Sequence, residues 1–199
     1  MTDTTEALLC ATSRALSTHG YANLTMQDIA DEADLSTAAL HYHYDSKGDL
    51  LAAFQEYIGE RFLARVRDAD TAEAADDRLS QVLDAALSPP ESDDVADLQT
   101  GLLELKAQAP YEAAFRERSR AVDAEFRSYL ADIVAAGVDQ GVFREDLDHE
   151  RAARFVATVL AGSQTRYVSV GQSPETTRAL LATYVETTLR ADREAAQPE

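Results

Sequence analysis

The sequence predicts an all-α protein of about nine helices, in which a short N-terminal unit of three helices precedes a larger helical domain. Three observations carry that expectation. Apolar residues recur at intervals of three and four along the chain, hairpin signals and Gly-rich loops are lacking, and capping residues and prolines punctuate the apolar runs. With 199 residues and 45% hydrophobic content, there is material for a sizeable core.

The first helix is expected from about Thr5 to Thr18, with Leu8, Leu9, Ala15 and Leu16 on one face and Gly20 as its C-terminal cap. Cys10 falls on that stripe and reads as a small core residue; as the only cysteine it permits neither an internal disulfide nor a Cys-based metal site. Thr25 caps a second helix of about two turns, Asp28 is placed to reach back as in a capping box, and Ile29, Ala30 and Ala33 form the apolar stripe. Leu35 then turns inward, and Asp34 in the turn tolerates a left-handed conformation better than most residues. Ser36 supplies the next N-cap oxygen, and Leu40 and Tyr44, four residues apart, both face inside. Ser46 caps again, with Asp49 three residues on. Helices this short cannot bury their own stripes, so their value lies in holding one exposed helix at a fixed angle, which is helix-turn-helix logic.

The helix opened by Ser46 carries Leu50, Leu51, Phe54, Ile58 and Phe62, long enough to leave the first unit and enter the next. The expected division is therefore 1–48 for the helix-turn-helix unit and 49–195 for a second domain. Leu79 to Leu87 reads as a helix halted by Pro89-Pro90, the acidic stretch SPPESDD as a loop, and about Asp93 to Gln108 as a further helix before Pro110. From Tyr111 to about Ala136 a long helix presents Phe115, Val122, Phe126, Tyr129, Ile133 and Val134, with Gly137 and Gly141 loosening its end; Asp146 or Asp148 caps the next.

Charge is the unusual part of the composition. The formal net charge is -18, and within residues 1–50 two basic side chains, Arg14 and Lys47, face eight acidic ones. Phosphate attraction normally supplies most non-specific DNA affinity, and this unit has little of it. Across the chain there are sixteen Arg and two Lys, and the acidic residues are dispersed rather than gathered in a tail, a pattern that points to an extremely halophilic cytoplasm. At molar salt the Debye length shrinks to about 3 Å, so separated charges are screened and local hydrogen bonds decide binding. No run of twenty apolar residues occurs, and MTDTTEALLC lacks a basic region and a signal-length apolar run, so a cytoplasmic protein without membrane attachment is expected.

The run LSTAALHYHYDSKGDLLAAF, preceded by YANLTMQDIADEADLS, resembles the N-terminal DNA-binding domain of TetR-type transcriptional regulators. The features that carry the likeness are Gly20-Tyr21, Thr25, Leu40-His41-Tyr42-His43-Tyr44 and Ser46-Lys47, spread over about fifty residues. The chain departs from the pattern at Asp34, where Gly is usual, at His41 and His43, where Tyr is commoner, and at Gly48, where Glu is frequent. The segment GVDQGVFREDLDHERAARFVATVLAGSQTRYVSV with SPETTRALLATYVETTLRA is similar to the C-terminal halves of such regulators, particularly the betaine-regulator type. The resemblance implies a dimer that reads a palindromic double-stranded operator, usually as a repressor, and is released by a small-molecule effector.

Candidate sites follow. Ser36, Thr37, Ala38 and Ala39 begin the reading helix and would point at base edges or phosphates, with His41, Tyr42 and His43 along the groove. Hydroxyls can bond either, alanine methyls can meet a thymine methyl, and His41 can donate. By resemblance, Tyr42 and Lys47 clamp the phosphate backbone and Thr25 faces a phosphate. Phe155, Val156, Val159 and Leu160, with Leu180, Leu181, Tyr184, Val185 and Leu189, exceed one narrow stripe; a homodimer through the last two helices, with Phe155, Val159, Leu181, Tyr184 and Val185 at the interface, would cover the excess. Effector-pocket candidates from helix spacing alone are Phe62, Leu83, Leu102, Leu105, Phe115, Tyr129 and Gln164, residues of a kind that is more often plain core than ligand-contacting. A mostly apolar lining would suit a hydrophobic or amphipathic effector.

No metal or other cofactor is expected. His41 and His43 lie two apart and point about 200° away from each other on a helix, whereas chelation needs a spacing of three or four. No GxSxG, P-loop, HExxH or Cys-His constellation marks an enzyme. The alternatives to a ligand-responsive transcription factor are a protein-interaction module that has lost DNA binding, favoured by the net-negative reading head, and a helical metal-dependent hydrolase. Retention of operator affinity at molar potassium separates the first two.

Overall fold

A computed structural model describes residues 2–88 and 93–191. Its described residues form nine α-helices followed by one π-helical turn: α1 Thr2–Asn23, α2 Met26–Glu32, α3 Thr37–His43, α4 Lys47–Ala69, α5 Ala75–Leu87, α6 Asp93–Gln108, α7 Ala113–Asp139, α8 His149–Val170, α9 Pro174–Tyr184 and the π turn Val185–Leu189. The all-α expectation holds. The chain groups into two compact units, Met1–Arg61 with Pro90–Val122, and Phe62–Pro89 with Asp123–Glu199. Helices α4 and α7 are each long enough to contribute their first part to one unit and their second part to the other.

In the first unit α6 packs along α1, α2 packs on α1, and α3 on α2. Leu8, Leu9, Leu16, Leu24, Ile29, Leu40, Leu50, Leu51 and Phe54 form one buried cluster that also takes in Leu105 of α6 and Phe115 of α7. The three-helix head thus borrows its core from helices far along the sequence. Helix α1 extends beyond its expected end: Gly20 breaks it at φ 69°, ψ 154°, and one more turn follows to Asn23. Such a conformation strains residues with a Cβ, so glycine makes the break without ending the element. Cys10 is half-buried instead of wholly interior, and Leu35, expected inward, is 36% exposed because the turn at Asp34 carries it outward. Asp34 itself has φ 53°, the left-handed position its side chain tolerates.

In the second unit α5 packs on α8 and α9, and α8 packs on α9. Helix α5 begins four residues before its expected start. Ser88 ends it with ψ 129°, the extended geometry favoured by a residue that precedes proline. Within SPPESDD, Asp93 and Asp94 are helical and Pro89–Ser92 lie outside the described residues. Asp148 rather than Asp146 caps α8, accepting from the Arg151 amide at 3.0 Å, while Asp146 pairs with Arg144 at 2.7 Å. Helix α8 closes on Gly171 in the left-handed conformation, and Ser173 with Pro174 opens α9. Gly137 does not loosen α7. The helix runs through it, and the buried Phe143 ring lies where a Cβ would stand. Among the described residues, no helix is long and apolar enough to cross a membrane.

Candidate nucleic-acid interface

Helix α3 is held from beneath and exposed above. Ser36, extended at φ −81°, ψ 148°, accepts from the Ala39 amide at 3.1 Å and so starts the helix. Leu40 is wholly buried and Tyr44 half-buried against the same cluster, the inward pair that their four-residue spacing predicts. Rotation about the helix axis then places His41, Tyr42 and His43 in solvent, with Tyr42 85% exposed and its ring 5.1 Å from that of His43, edge on. Ala38 is exposed, and Thr37 and Ala39 are partly covered. The reading-helix candidates are thus brought onto one short element.

The flanking candidates are engaged. Thr25 N–H donates to Asp28 Oδ2 at 2.7 Å and its hydroxyl to the same oxygen at 2.6 Å, while Thr25 Oγ1 accepts from the Asp28 amide at 3.2 Å. The capping box is complete, and these bonds from Thr25 hold the Asp28 carboxyl below the usual carboxylate range. A phosphate at Thr25 must compete with that carboxylate for both donors.

Lys47 opens α4, whose first turn is fixed by Ser46 accepting from the Asp49 amide at 3.2 Å. Its ammonium turns back to α1: Nζ donates to the Tyr21 carbonyl at 3.0 Å and the Leu24 carbonyl at 2.8 Å, and lies 4.9 Å from the Tyr21 ring centroid. Those carbonyls end the extra turn that follows Gly20, so the cation satisfies helix-end acceptors and meets their dipole. The Tyr21 amide, freed by the break at Gly20, donates to Glu104 of α6 at 2.6 Å, and the Tyr21 ring meets Phe115 edge on at 6.1 Å. The other cation of the first fifty residues, Arg14, pairs with Glu32 at 2.6 Å. Both cations of the first fifty residues are thus bound within the chain, and hydroxyl, imidazole and amide donors of the head would have to make up for them.

Replacing Lys47 by Met is expected to cost roughly 1.5–3 kcal/mol, because two helix-end carbonyls lose a charged donor. Urea unfolding would measure it. An unchanged midpoint would mean that water satisfies those carbonyls equally well.

The remaining candidates divide between the units. Leu105 and Phe115 are core of the first, and Leu102 is partly covered there. Phe62, Leu83, Tyr129 and Gln164 belong to the second, where Phe62 packs edge on against Phe126 at 5.0 Å and Leu83 is buried. Tyr129 donates its hydroxyl to Asp70. On the last helices Leu181, expected at an interface, is 1% exposed and packs inward; its neighbour Leu180, about 100° round the helix, is 63% exposed. Phe155 is 46% exposed and its ring lies 4.3 Å from that of Tyr184, while Val159 and Val185 are partly covered. Sequence reasoning missed Gln27 and Glu104. The i, i+4 pair Gln27–Asp31 was legible, whereas Glu104 lies 83 residues from Tyr21 and left no local signal.

A short capped helix, braced by two others and exposing aromatic and imidazole groups, defines the helix-turn-helix class of proteins. The chain belongs to the TetR family of bacterial regulatory proteins: residues 8–54 match that family's N-terminal domain, and residues 75–190 match the BetI-type transcriptional repressor C-terminal domain. It is 42% identical to a TetR transcription regulator from Haloarcula marismortui, over 96% of this chain and 100% of that one, with a TM-score of 0.87. A candidate transcriptional regulator from Saccharomonospora viridis, solved in complex with choline, is 22% identical with a TM-score of 0.82 over 96% of this chain and all of that one, a likeness of fold. The HTH-type transcriptional repressor KstR2 of Rhodococcus jostii is 28% identical over 144 residues. That match covers 66% of this chain and spans 64% of the relative's length. The family is one of regulators, not of enzymes.

Proposed function

We propose that the chain is a dimeric transcriptional repressor whose two α3 helices enter successive major grooves of a palindromic operator and leave it when a small-molecule effector binds the C-terminal part. The exposed face of α3 over the buried Leu40 is the observation that carries this reading. One such head reads only a few base pairs, and two-fold symmetry doubles the contact. For the partner surface, Phe155 and Leu180 are exposed beside the small exposed residues Thr158, Ala161, Gly162 and Thr183, which let two helix pairs approach closely. A net charge of -18 and a 42% identical Haloarcula relative support a cytoplasm of molar salt.

Release follows if the effector binds more tightly to the head spacing that does not fit the operator, which shifts the population away from DNA. A protein-interaction module is the second reading, and one observation favours it: Arg14 and Lys47 are both bound within the chain.

Selection from a random duplex pool at molar potassium chloride tests the two. The repressor reading expects a palindromic site, lost in Tyr42→Ala, from a protein whose mass in light scattering is that of a dimer and falls to monomer in Leu180→Glu. A folded dimer that enriches nothing at any salt supports the module instead.

A further inference from the structure

A hydrogen-bond chain from α2 determines which way the Thr37 hydroxyl can act. Gln27 Nε2 donates to Asp31 Oδ1 at 2.7 Å, one turn along α2, and Thr37 Oγ1 donates to Gln27 Oε1 at 2.6 Å. A carboxylate only accepts, so Gln27 must aim its amino group at Asp31 and its carbonyl oxygen at Thr37; the flipped amide would set oxygen against oxygen. The hydroxyl hydrogen of Thr37 is thereby taken, and its oxygen is left with lone pairs that can only accept. Ser36 is polarised the opposite way: it accepts from the Ala39 amide, which uses a lone pair and leaves its hydrogen to donate.

On the reading that α3 enters the major groove, we propose that Thr37 is an acceptor that selects an exocyclic amino group, N6 of adenine or N4 of cytosine, at one position of each half-site, with Gln27 and Asp31 as positioning residues. Those amino groups are the donors that the major-groove edges offer, whereas guanine O6 and thymine O4 are acceptors and would meet the Thr37 oxygen unpaired. The inference concerns specificity and adds no affinity for phosphate. It needs no cation, which suits a head whose two cations, Arg14 and Lys47, are committed.

The test begins from the selected operator and measures binding with every base pair at each half-site position. One position should favour adenine or cytosine over guanine or thymine by about tenfold or more. Replacing that base by purine, or by 2-pyrimidinone, removes only the amino group and tells adenine from cytosine; the same replacement at an unread position is the control. Gln27→Leu frees the hydroxyl to rotate and donate, so the preference should fall to about twofold while the other positions keep theirs. Thr37→Val should abolish it and Thr37→Ser retain it. A preference unchanged in Gln27→Leu, or in Thr37→Val, overturns this inference and leaves the DNA-binding reading intact. A wild-type protein that selects no site overturns both.

Discussion

Replacing Arg78 with Met is expected to lower folding stability at neutral pH by about 3–5 kcal/mol, the largest loss among the single changes considered for this chain. The Asp70 carboxylate is only 5% exposed, and three donors hold it: Arg78 Nε on Oδ1 at 2.9 Å, Arg78 Nη2 on Oδ2 at 2.7 Å, and the Tyr129 hydroxyl. Removing the guanidinium leaves a buried charge with one neutral partner. Arg78→Lys should recover part of the loss, since an ammonium cannot reproduce the two-pronged contact. Asp70→Asn added to Arg78→Met should recover more, because the charge is gone and an acceptor for Tyr129 remains. Urea unfolding of the three variants and the wild type decides the matter, and a loss below about 1 kcal/mol in Arg78→Met would mean that water reaches Asp70 and replaces the arginine.

The pH dependence has a definite sign. Hydrogen bonding from Arg78 holds the Asp70 carboxyl below its ordinary value of 3.8. Its contribution is therefore present above pH 3.8 and is lost as pH falls through the lower folded value. In Arg78→Met burial instead disfavours the charged form, so the gap between variant and wild type should narrow as pH falls toward 4. Tyr129 behaves oppositely. Burial, and then the bond to Asp70, push its phenol up to about 12, so that contribution persists below pH 10 and disappears as pH rises toward 12.

Gly137→Ala is the second large expectation, a loss of roughly 1–3 kcal/mol at a position where helix propensity alone would favour alanine by about 1 kcal/mol. The alanine Cβ would overlap the ring of Phe143, which is wholly buried. That ring cannot retreat easily. The Val142 and Phe143 amides both donate to the Gly137 carbonyl, at 2.9 and 3.0 Å, and the same turn is tied to the chain after α9 by Arg144 N–H on Leu189 O and Ala191 N–H on Val142 O. A smaller ring-site residue should relieve the clash, so Gly137→Ala with Phe143→Leu is expected to cost less than the sum of the single changes. Additive losses would show that the overlap is not the cause.

Much of the reading head was legible in the sequence because its signals act within four residues. Thr25 with Asp28 and Ser46 with Asp49 are caps whose donor and acceptor lie on the same turn. Leu40 and Tyr44 faced inward for the same reason. Lys47 illustrates the limit: its place at the start of α4 was plain, but its partners are carbonyls 23 and 26 residues away. Leu181 and Leu180 show a second limit, since a stripe broader than one face says that burial occurs without saying which residue the chain's own helices cover.

Residue order alone was enough for the all-α class, the short capped helices and the exposure of His41, Tyr42 and His43, since helix periodicity and capping are properties of adjacent turns. The grouping into two units, the borrowed core of Leu105 and Phe115, the Glu104 and Lys47 contacts with the turn after Gly20, and the seat of Phe143 on Gly137 required the folded chain. Each joins groups that become neighbours only when helices pack. Close packing selects among faces that a single helix presents as equivalents, and a one-dimensional pattern does not contain that choice.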